Sequence, residues 1–236
     1  MEIIVKIAII VPMAIEAEFY QNYFHDGKKE KFGTSVFSHF FVGDNEIFLG
    51  LSGIGKVQAA VNLTSLLTSQ EIDLIFVTGS AGGLQSDLKQ GDLILADALA
   101  YHDVHCTKAG NYVEGQLPDQ PAQFLLNSDY RKQFIGYLSQ KRVAYRQGLV
   151  VTGDSFVASQ KQKSTILSTF PQALAVEMEG ASFAQVAYQF HKPLIVLRSI
   201  SDHGDEKADL DFDDFVKKAG ANAAELLCRF IQHDLK

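Results

Sequence analysis

Hydrophobic residues recur along this chain in short uninterrupted runs, and each run is bounded by glycine, aspartate or another polar residue. Runs of this kind, without alternating polar positions, are typical of strands that are buried on both faces of a sheet. The pattern therefore predicts strands over Ile7–Val11, Ile47–Leu51, Leu74–Thr78, Leu93–Ala96, Leu149–Thr152, Leu174–Val176 and Leu194–Leu197.

Between several of these runs, apolar residues are spaced three and four apart, as in an amphipathic helix. The spacing predicts helices after Gly55, after Glu179 and in the C-terminal segment, where the apolar stripe runs from Phe215 to Ile231. Acidic residues beginning at Asp211 precede that last stripe, at the helix end where the dipole favours negative charge.

Strands that alternate with helices predict an α/β fold. We expect a single domain over residues 1–236, with a central mixed, mostly parallel β-sheet flanked by helices. In such a sheet, ligands bind at the carboxyl ends of the strands. The segments directly after the predicted strands are therefore the place to look for chemistry.

The balance of charge narrows the range of partners. Aspartate and glutamate number 28 against 21 lysines and arginines, which gives a net charge of −7. A negative surface repels phosphate backbones and anionic lipid heads, so we expect binding neither to nucleic acid nor to a membrane. The expected partner is a small molecule or another protein.

Cysteine usage and the N-terminal segment bear on location. Cys106 and Cys228 form no CxxC pair and no disulfide framework, which fits a reducing cytoplasm. The apolar run Ile7–Met13 is too short to cross a bilayer, and no small-residue cleavage site follows it. A cytoplasmic protein is expected.

Three carboxylates stand where strands end or helices begin. Glu16 comes just beyond the first predicted strand, Glu179 opens a predicted helix, and Asp202 follows the last predicted strand. Taken singly, each is interpreted as a solvated or helix-capping carboxylate. In a parallel sheet, however, all three would meet on one rim, where they favour an acid–base site.

Two glycine-rich segments raise the alternative of nucleotide binding. Gly50–Lys56 has the spacing of a phosphate-binding loop, but Val57 stands where a serine or threonine must ligate Mg²⁺. The alternative is a glycine turn that lets the backbone approach another group closely. Gly79–Gly83 lacks the spacing of a dinucleotide fingerprint, so bound NAD or FAD is not expected.

A metal site and a covalent nucleophile were also weighed. His102, Asp103, His105 and Cys106 contain zinc-ligating groups, but their spacing fits no four-ligand pattern. There is no Gly-x-Ser-x-Gly elbow, and the cysteines have no evident activating neighbour apart from His105 beside Cys106. We expect neither a metal nor a covalent intermediate.

Eight segments, taken in order, resemble the methylthioadenosine/S-adenosylhomocysteine nucleosidases within the larger nucleoside phosphorylase family. They are Met13 with Glu16, Leu51–Val57, Thr78–Leu84, Tyr101–Asp103, Gly115–Pro118, Gly153–Phe156, Ala175–Glu179 and Arg198–Asp202. The resemblance rests on the ordered set, which spans nearly the whole chain. It implies hydrolysis of the N-glycosidic bond of a 5′-thio-substituted adenosine to adenine and a thioribose, with no cofactor.

The resemblance also implies roles for individual residues. Asp202 corresponds to the acid that donates a proton to adenine N7, with Ser201 orienting it. Glu16 corresponds to the group that positions and deprotonates the water, with Arg198 nearby, and Glu179 to the carboxylate that grips the ribose hydroxyls. These roles suit a bond that breaks through a cation-like transition state, in which the purine is neutralised while water attacks the opposite face.

The walls of the pocket follow from the same resemblance. It implies that Phe156 stacks on the purine and that the backbone of Val157 reads its Watson–Crick edge. The remaining wall contacts that it implies are Ile54, Ser80, Met178 and Phe212.

The resemblance further implies a homodimer in which the region Tyr101–Pro118 lies near the partner. That region departs from the family pattern. Family members carry an acidic residue at the position of His105, and aromatic residues where this chain has Ala109 and Asn111. The preference between short and long thioalkyl groups is therefore left open.

Two other functions were kept as alternatives. A purine nucleoside phosphorylase would use phosphate instead of water, but a phosphate site needs arginine or oriented amides, and the negative Glu16 would repel it. A non-catalytic nucleoside-binding protein requires loss of the acid or of the water-activating group, and Asp202 and Glu16 are both present. Hydrolysis is the favoured prediction.

Overall fold

The computed structural model describes residues 5–206 and 208–235, without the side chains of residues 209–214 and 219. This part of the chain forms ten strands, six helices and a short 3₁₀ turn at Thr107–Ala109. The strands are β1 (Lys6–Val11), β2 (Lys28–Phe32), β3 (Ser35–Val42), β4 (Asn45–Leu51), β5 (Leu74–Gly83), β6 (Leu93–Tyr101), β7 (Phe124–Leu125), β8 (Arg146–Thr152), β9 (Ala175–Glu177) and β10 (Leu194–Asp202). The helices are α1 (Ala14–Phe24), α2 (Lys56–Leu67), α3 (Asp129–Gln140), α4 (Gln160–Thr169), α5 (Gly180–Gln189) and α6 (Ala208–His233).

All ten strands belong to one mixed sheet. Strands β4, β1, β5 and β10 form one parallel block, and β6, β8 and β9 form a second. Antiparallel pairs β10–β6 and β5–β9 join the two blocks, so that β5, β10, β6, β8 and β9 close into a ring. The remaining antiparallel pairs attach β3 to β4, β2 to β3 and β7 to β6.

The predicted fold class, an α/β fold with a mixed sheet flanked by helices, is confirmed. Each continuous apolar run forms a strand, and three of these strands, β5, β6 and β10, extend well beyond the run that predicted them. The strands β2, β3 and β7 were not predicted. They pair antiparallel, and β2 and β3 mix exposed polar positions with apolar ones, so they contain no continuous apolar run.

The predicted helices are present as α2, α5 and α6, whereas α1, α3 and α4 were not predicted. Few residues of α1 and α4 are buried, so their apolar stripes are narrow. In α3 a different signal was available, because Ser128 caps the helix by accepting a hydrogen bond from the backbone N–H of Arg131 at 3.2 Å. The helices were predicted from apolar spacing alone, which does not include this N-cap.

Helices cover both faces of the sheet. Helices α2 and α5 share one buried apolar cluster with the sheet, and α1, α3 and α6 share another on the opposite face. A third cluster joins α4 to β6, β8 and β9. Because helices cover both faces of the sheet, the side chains on both faces of its strands are buried, which explains the continuous apolar runs. Among the described residues, no helix is long and apolar enough to cross a membrane.

Helix α2 has apolar residues on its outer side as well as on its buried side. Ala59, Leu63 and Leu66 face the core, but Val57 and Val61 lie on the outer side, with 72% and 43% of their surface exposed. These two valines are one helical turn apart and therefore occupy the same exposed face.

Candidate active site

The carboxyl ends of β1, β4, β5, β8, β9 and β10 surround a cavity of about 340 Å³. This volume lies in the range of small-molecule sites, and the position is the one expected for an open α/β sheet. The predicted site residues that line the cavity are Glu16, Ile54, Ser80, Phe156, Val157, Met178, Glu179, Ser201 and Asp202. Of the other two, Arg198 is buried behind the wall, and the side chain of Phe212 lies outside the described part of the structure.

Glu16 is held in the first turn of α1, which begins directly after β1. Its Oε1 accepts hydrogen bonds from the backbone N–H and the hydroxyl of Ser80, at 2.8 and 3.0 Å, and its Oε2 accepts from the N–H of Met13 at 3.2 Å. The side chain is only 2% exposed, and burial raises its pKa, although these donors and the charge of Arg198 act in the opposite direction. Glu16 is therefore a stronger base than a solvated glutamate.

Arg198 lies in β10, directly opposite Gly79 of β5. Its guanidinium is fully buried, forms an ion pair with Glu177, and has Nη2 3.7 Å from Oε2 of Glu179. Gly79 has φ of +148° and lets Arg198 and Glu16 come close, because a Cβ atom here would lie 2.7 Å from Nη1 and 2.9 Å from Oε1. A glycine is thus required between the cation and the base.

Glu177 is the functional residue that sequence reasoning missed. It lies at the end of β9 and, besides pairing with Arg198, accepts hydrogen bonds from the hydroxyl of Thr152 and from the backbone N–H groups of Glu179 and Gly180. The family resemblance covers the motif Glu177-Met178-Glu179 but implies a role only for its second glutamate and for Met178. The structure shows that the first glutamate holds both Arg198 and the start of α5.

Glu179 sits at the N-cap of α5 and faces the cavity. Its Oε1 accepts a hydrogen bond from the N–H of Gly55 at 2.9 Å, and the side chain is buried. Burial and the neighbouring negative charge of Glu177 raise its pKa, and Arg198 partly offsets this. The contact with Gly55 confirms the interpretation of Gly50–Lys56 as a turn whose backbone approaches another group closely.

Asp202 ends β10 and is buried, with 2% of its surface exposed. Its Oδ2 accepts a hydrogen bond from the Ser201 hydroxyl and its Oδ1 from the N–H of Gly204, both at 2.8 Å. Across the sheet it pairs with Gly82 of β5, where a Cβ atom would lie 3.0 Å from Oδ1. These donors fix the carboxyl and stabilise the anion that remains once a proton is released.

The glycine-rich segment Gly79–Gly83 forms the end of strand β5, beyond the strand that the apolar run predicted. Its glycines are needed because side chains approach the strand closely, Glu16 and Arg198 at Gly79 and Asp202 at Gly82. Ser80 donates to Glu16 and Gly82 pairs with Asp202 across the sheet, so both carboxyl-bearing residues adjoin the same end of β5.

The loop after β8 forms another wall, with Phe156 partly exposed and Val157 buried. Asp154, in this loop, accepts a hydrogen bond from the N–H of Lys56 at 2.8 Å, and its own N–H donates to Asp103 at 2.9 Å. Lys56 Nζ lies 2.7 Å from the same carboxylate of Asp103. The loop is therefore tied to the start of α2.

Two of the four side chains with zinc-ligating groups, Asp103 and His105, are engaged in other contacts. Asp103 binds Lys56, and His105 Nδ1 is 2.6 Å from Oε2 of Glu114. Cys106 is a partly buried free thiol.

The cavity brings together the buried carboxylate of Glu16 from α1 and the buried, hydrogen-bonded carboxyl group of Asp202 from β10, with an aromatic side chain on the wall. Such a pair can give a proton to one part of a bound molecule and take a proton from water near another part. Both Glu16 and Asp202 line the cavity. The arrangement therefore meets the requirement that the two groups share one site.

Comparisons with known proteins cover nearly the whole chain. Residues 6–232 match the model of the phosphorylase superfamily. The chain is 37% identical over 226 residues, 96% of this chain and 98% of the other, to a protein of Haemophilus influenzae strain PittEE named 5′-methylthioadenosine/S-adenosylhomocysteine nucleosidase.

Solved structures show the same fold. The S-adenosylhomocysteine nucleosidase of Streptococcus pyogenes, in complex with 5-methylthiotubericidin, superposes with a TM-score of 0.92 at 35% identity over 97% of each chain. The futalosine hydrolase of Helicobacter pylori strain 26695 also gives a TM-score of 0.92, at 32% identity over 97% of each chain.

We expect Gly79→Ala to destabilise the protein, because the added methyl group would clash with Arg198 and Glu16. Overpacking of a buried site costs about 1–3 kcal/mol. The measurement is the free energy of unfolding in urea. Gly136→Ala in α3 is the control, because a methyl group there meets no atom within 4 Å, and a gain of up to about 1 kcal/mol is expected. Wild-type stability of Gly79→Ala would contradict the requirement for glycine.

Proposed function

Because this chain belongs to the phosphorylase superfamily, we propose that its cavity hydrolyses the N-glycosidic bond of 5′-methylthioadenosine and S-adenosylhomocysteine. The products are adenine and the 5-thioribose that carries the methyl or homocysteine group. The observation that carries the proposal is that Glu16 and Asp202, from opposite ends of the chain, line one cavity. Relatives that match over nearly their whole length bear the name of this activity.

Asp202 is assigned as the acid. Adenine is a poor leaving group until its N7 receives a proton, and general acid catalysis of this kind contributes about 10²–10⁴ in rate. The carboxyl group that loses the proton is stabilised by hydrogen bonds from Ser201 and Gly204. Ser201 therefore orients the acid and favours proton transfer from Asp202 to N7 of adenine.

Glu16 is assigned as the group that positions and deprotonates the attacking water. Ser80 and Met13 hold its carboxylate in place, and burial strengthens it as a base. Arg198, across Gly79, supplies the positive charge that keeps the carboxylate from being protonated too readily. Water attacks the face of the sugar opposite the departing base.

Glu179 is assigned to the ribose hydroxyls, and Met178 to the wall beside the sugar. A negative charge next to the ring favours the positive charge that develops there as the bond breaks. Burial raises the pKa of Glu179. Hydrogen bonds from the ribose hydroxyls would give its carboxylate partners in place of water and so favour the charged form.

Phe156 is assigned to stacking on the purine, the backbone of Val157 to its Watson–Crick edge, and Ile54 and Phe212 to the apolar wall. Phe156 and Val157 follow β8 on the loop that Asp154 ties to α2. Stacking on an aromatic ring is worth about 1–3 kcal/mol per base. This loop therefore supplies recognition of the base.

A phosphorylase reaction is not favoured. Phosphate in the position of the attacking water would face the negative Glu16, and Arg198 is already paired with Glu177. A non-catalytic binding protein is not favoured either, because both the acid and the base are present and buried in one cavity.

Incubation with 5′-methylthioadenosine is expected to release adenine at the same rate with and without phosphate. Chromatography and mass spectrometry of the products should show 5-methylthioribose and no ribose-1-phosphate derivative. A rate that depends on phosphate would establish the phosphorylase reaction instead.

We expect Glu16→Gln and Asp202→Asn each to lower kcat by about 10²–10⁴, because each removes a proton-transfer group. Circular dichroism should show a retained fold. Glu18→Gln is the matched control, since Glu18 is exposed on the same helix as Glu16 and contacts Lys217. Near wild-type turnover in either active-site variant would show that the role assigned to that residue is wrong.

We propose that the enzyme is a homodimer. Val57 and Val61 form an exposed apolar face on α2, and Ile54, which is also exposed, lines the cavity beside it. Apolar surface that continues from a ligand site is typical of an interaction surface. A partner here would shield the cavity mouth.

Sedimentation is expected to give twice the 26.0 kDa mass of one chain. Val57→Glu should shift the protein to the monomer, because it places a charge in the apolar face. Phe41→Glu is the control. Phe41 is also apolar and exposed (68%), but it pairs with Glu46 near the start of β4, whereas Ile54 follows the end of that strand. Dissociation by Phe41→Glu alone would assign the interface elsewhere.

The location that we propose is the cytoplasm. Cys106 and Cys228 are both free thiols, as a reducing compartment keeps them. Cell fractionation tests this assignment.

A further inference from the structure

Lys163 is a buried lysine whose ammonium group the proposed reaction does not use. It lies in α4, and only 9% of its surface is exposed, whereas Lys161 on the same helix is exposed. Burial of a cation is unfavourable unless the charge has close partners. Lys163 therefore needs a specific set of acceptors, which the structure provides.

The acceptors are two backbone carbonyl groups, one at the end of β5 and one directly after β10. Lys163 Nζ donates to the carbonyl oxygen of Gly83 at 2.9 Å and to that of His203 at 2.7 Å. Gly83 is the last residue of β5, and His203 directly follows the last residue of β10. One ammonium group thus ties together the ends of the two strands that carry the active site.

His203 stands between two residues that define the acid. On one side is Asp202, and on the other is Gly204, whose N–H donates to Oδ1 of Asp202 at 2.8 Å. Gly204 has φ of +60°, and a Cβ atom at this position would lie 3.5 Å from Cγ1 of Val157. Holding the turn at the carbonyl group of His203 therefore also holds the backbone next to Asp202 and next to Val157, the wall residue assigned to the purine.

Packing alone does not call for a lysine at this position. Ile166, three residues further along α4, is buried on the same face in an apolar cluster. An unbranched apolar side chain would fill the volume of the lysine stem. What it would not supply is the positively charged donor for the two carbonyl groups.

We infer that Lys163 is a positioning residue for the acid Asp202, fixing the Asp202–Gly204 turn through the carbonyl group of His203. The inference rests on the proposed function, in which Asp202 protonates the purine. Lys163 does not touch the substrate in this assignment. It acts by holding the carboxyl group in the orientation that proton transfer requires, where a displacement of 1 Å costs about 10²-fold in rate.

The first test uses Lys163→Met, with Lys161→Met as the matched control on the same helix. We expect Lys163→Met to lower kcat for 5′-methylthioadenosine by about 10- to 100-fold. The dissociation constant of 5′-methylthio-7-deazaadenosine should change less than about twofold, because this analogue has carbon in place of N7 and needs nothing from Asp202. Lys161→Met should change neither value.

A double-mutant cycle shows whether Lys163 acts through Asp202. In the Asp202→Asn background the acid is already lost, so adding Lys163→Met is expected to cause no further decrease in kcat. An equal decrease in both backgrounds would mean that Lys163 acts independently of Asp202, and the inference would be wrong. Lys163→Gln, which keeps one donor, should fall between wild type and Lys163→Met, and it takes the same tests if Lys163→Met does not fold.

The outcomes separate this inference from the function on which it rests. If Asp202→Asn keeps near wild-type turnover, the acid is wrongly assigned. If Asp202→Asn is impaired while Lys163→Met and Lys163→Gln are as fast as wild type, the acid stands and the positioning role of Lys163 is overturned. Weaker binding of the 7-deaza analogue in parallel with the loss of kcat would indicate a general disturbance of the pocket, which also contradicts the inference.

Discussion

The buried ion pair between Arg198 and Glu177 is the interaction on which the rest of the site depends. Removing two charges from water is costly, and such a pair persists only when further hydrogen bonds satisfy it. Here Thr152 and the first N–H groups of α5 complete the shell of Glu177. Through this shell the pair fixes the start of α5, and with it the orientation of Glu179. Through Gly79 it also sets the electrostatic surroundings of Glu16.

The second organising element is the end of strand β5. Its small residues allow carboxylates from α1 and β10 to approach the backbone at two neighbouring points. Both carboxyl-bearing residues therefore adjoin the same end of one strand, Glu16 at Ser80 and Asp202 at Gly82. The loop after β8 adds an aromatic surface, Phe156, to this site.

The sequence was sufficient for the buried strands and for most of the cavity wall. Continuous apolar runs identify strands that helices cover on both faces, and carboxylates placed after such strands identify Glu16, Glu179 and Asp202 as neighbours. The antiparallel strands β2 and β3 escaped because exposed and polar positions interrupt their apolar residues. Glu177 and Lys163 escaped for another reason. Their importance comes from contacts with residues far away in the chain, such as Arg198 and His203, and no local pattern encodes those contacts.

The closed ring of strands leaves the sheet with a terminus at β2, within the described residues. An open edge offers unpaired backbone groups to any other strand and is a site of aggregation. Strand β2 reads Lys-Lys-Glu-Lys-Phe, and its lysines Lys28, Lys29 and Lys31 are exposed. In a chain that is negative overall, this strand places positive charges at the sheet edge where the strands of two copies could pair. Exposed lysines on a terminal strand are one of the ways in which natural proteins protect an open sheet edge from pairing with another chain.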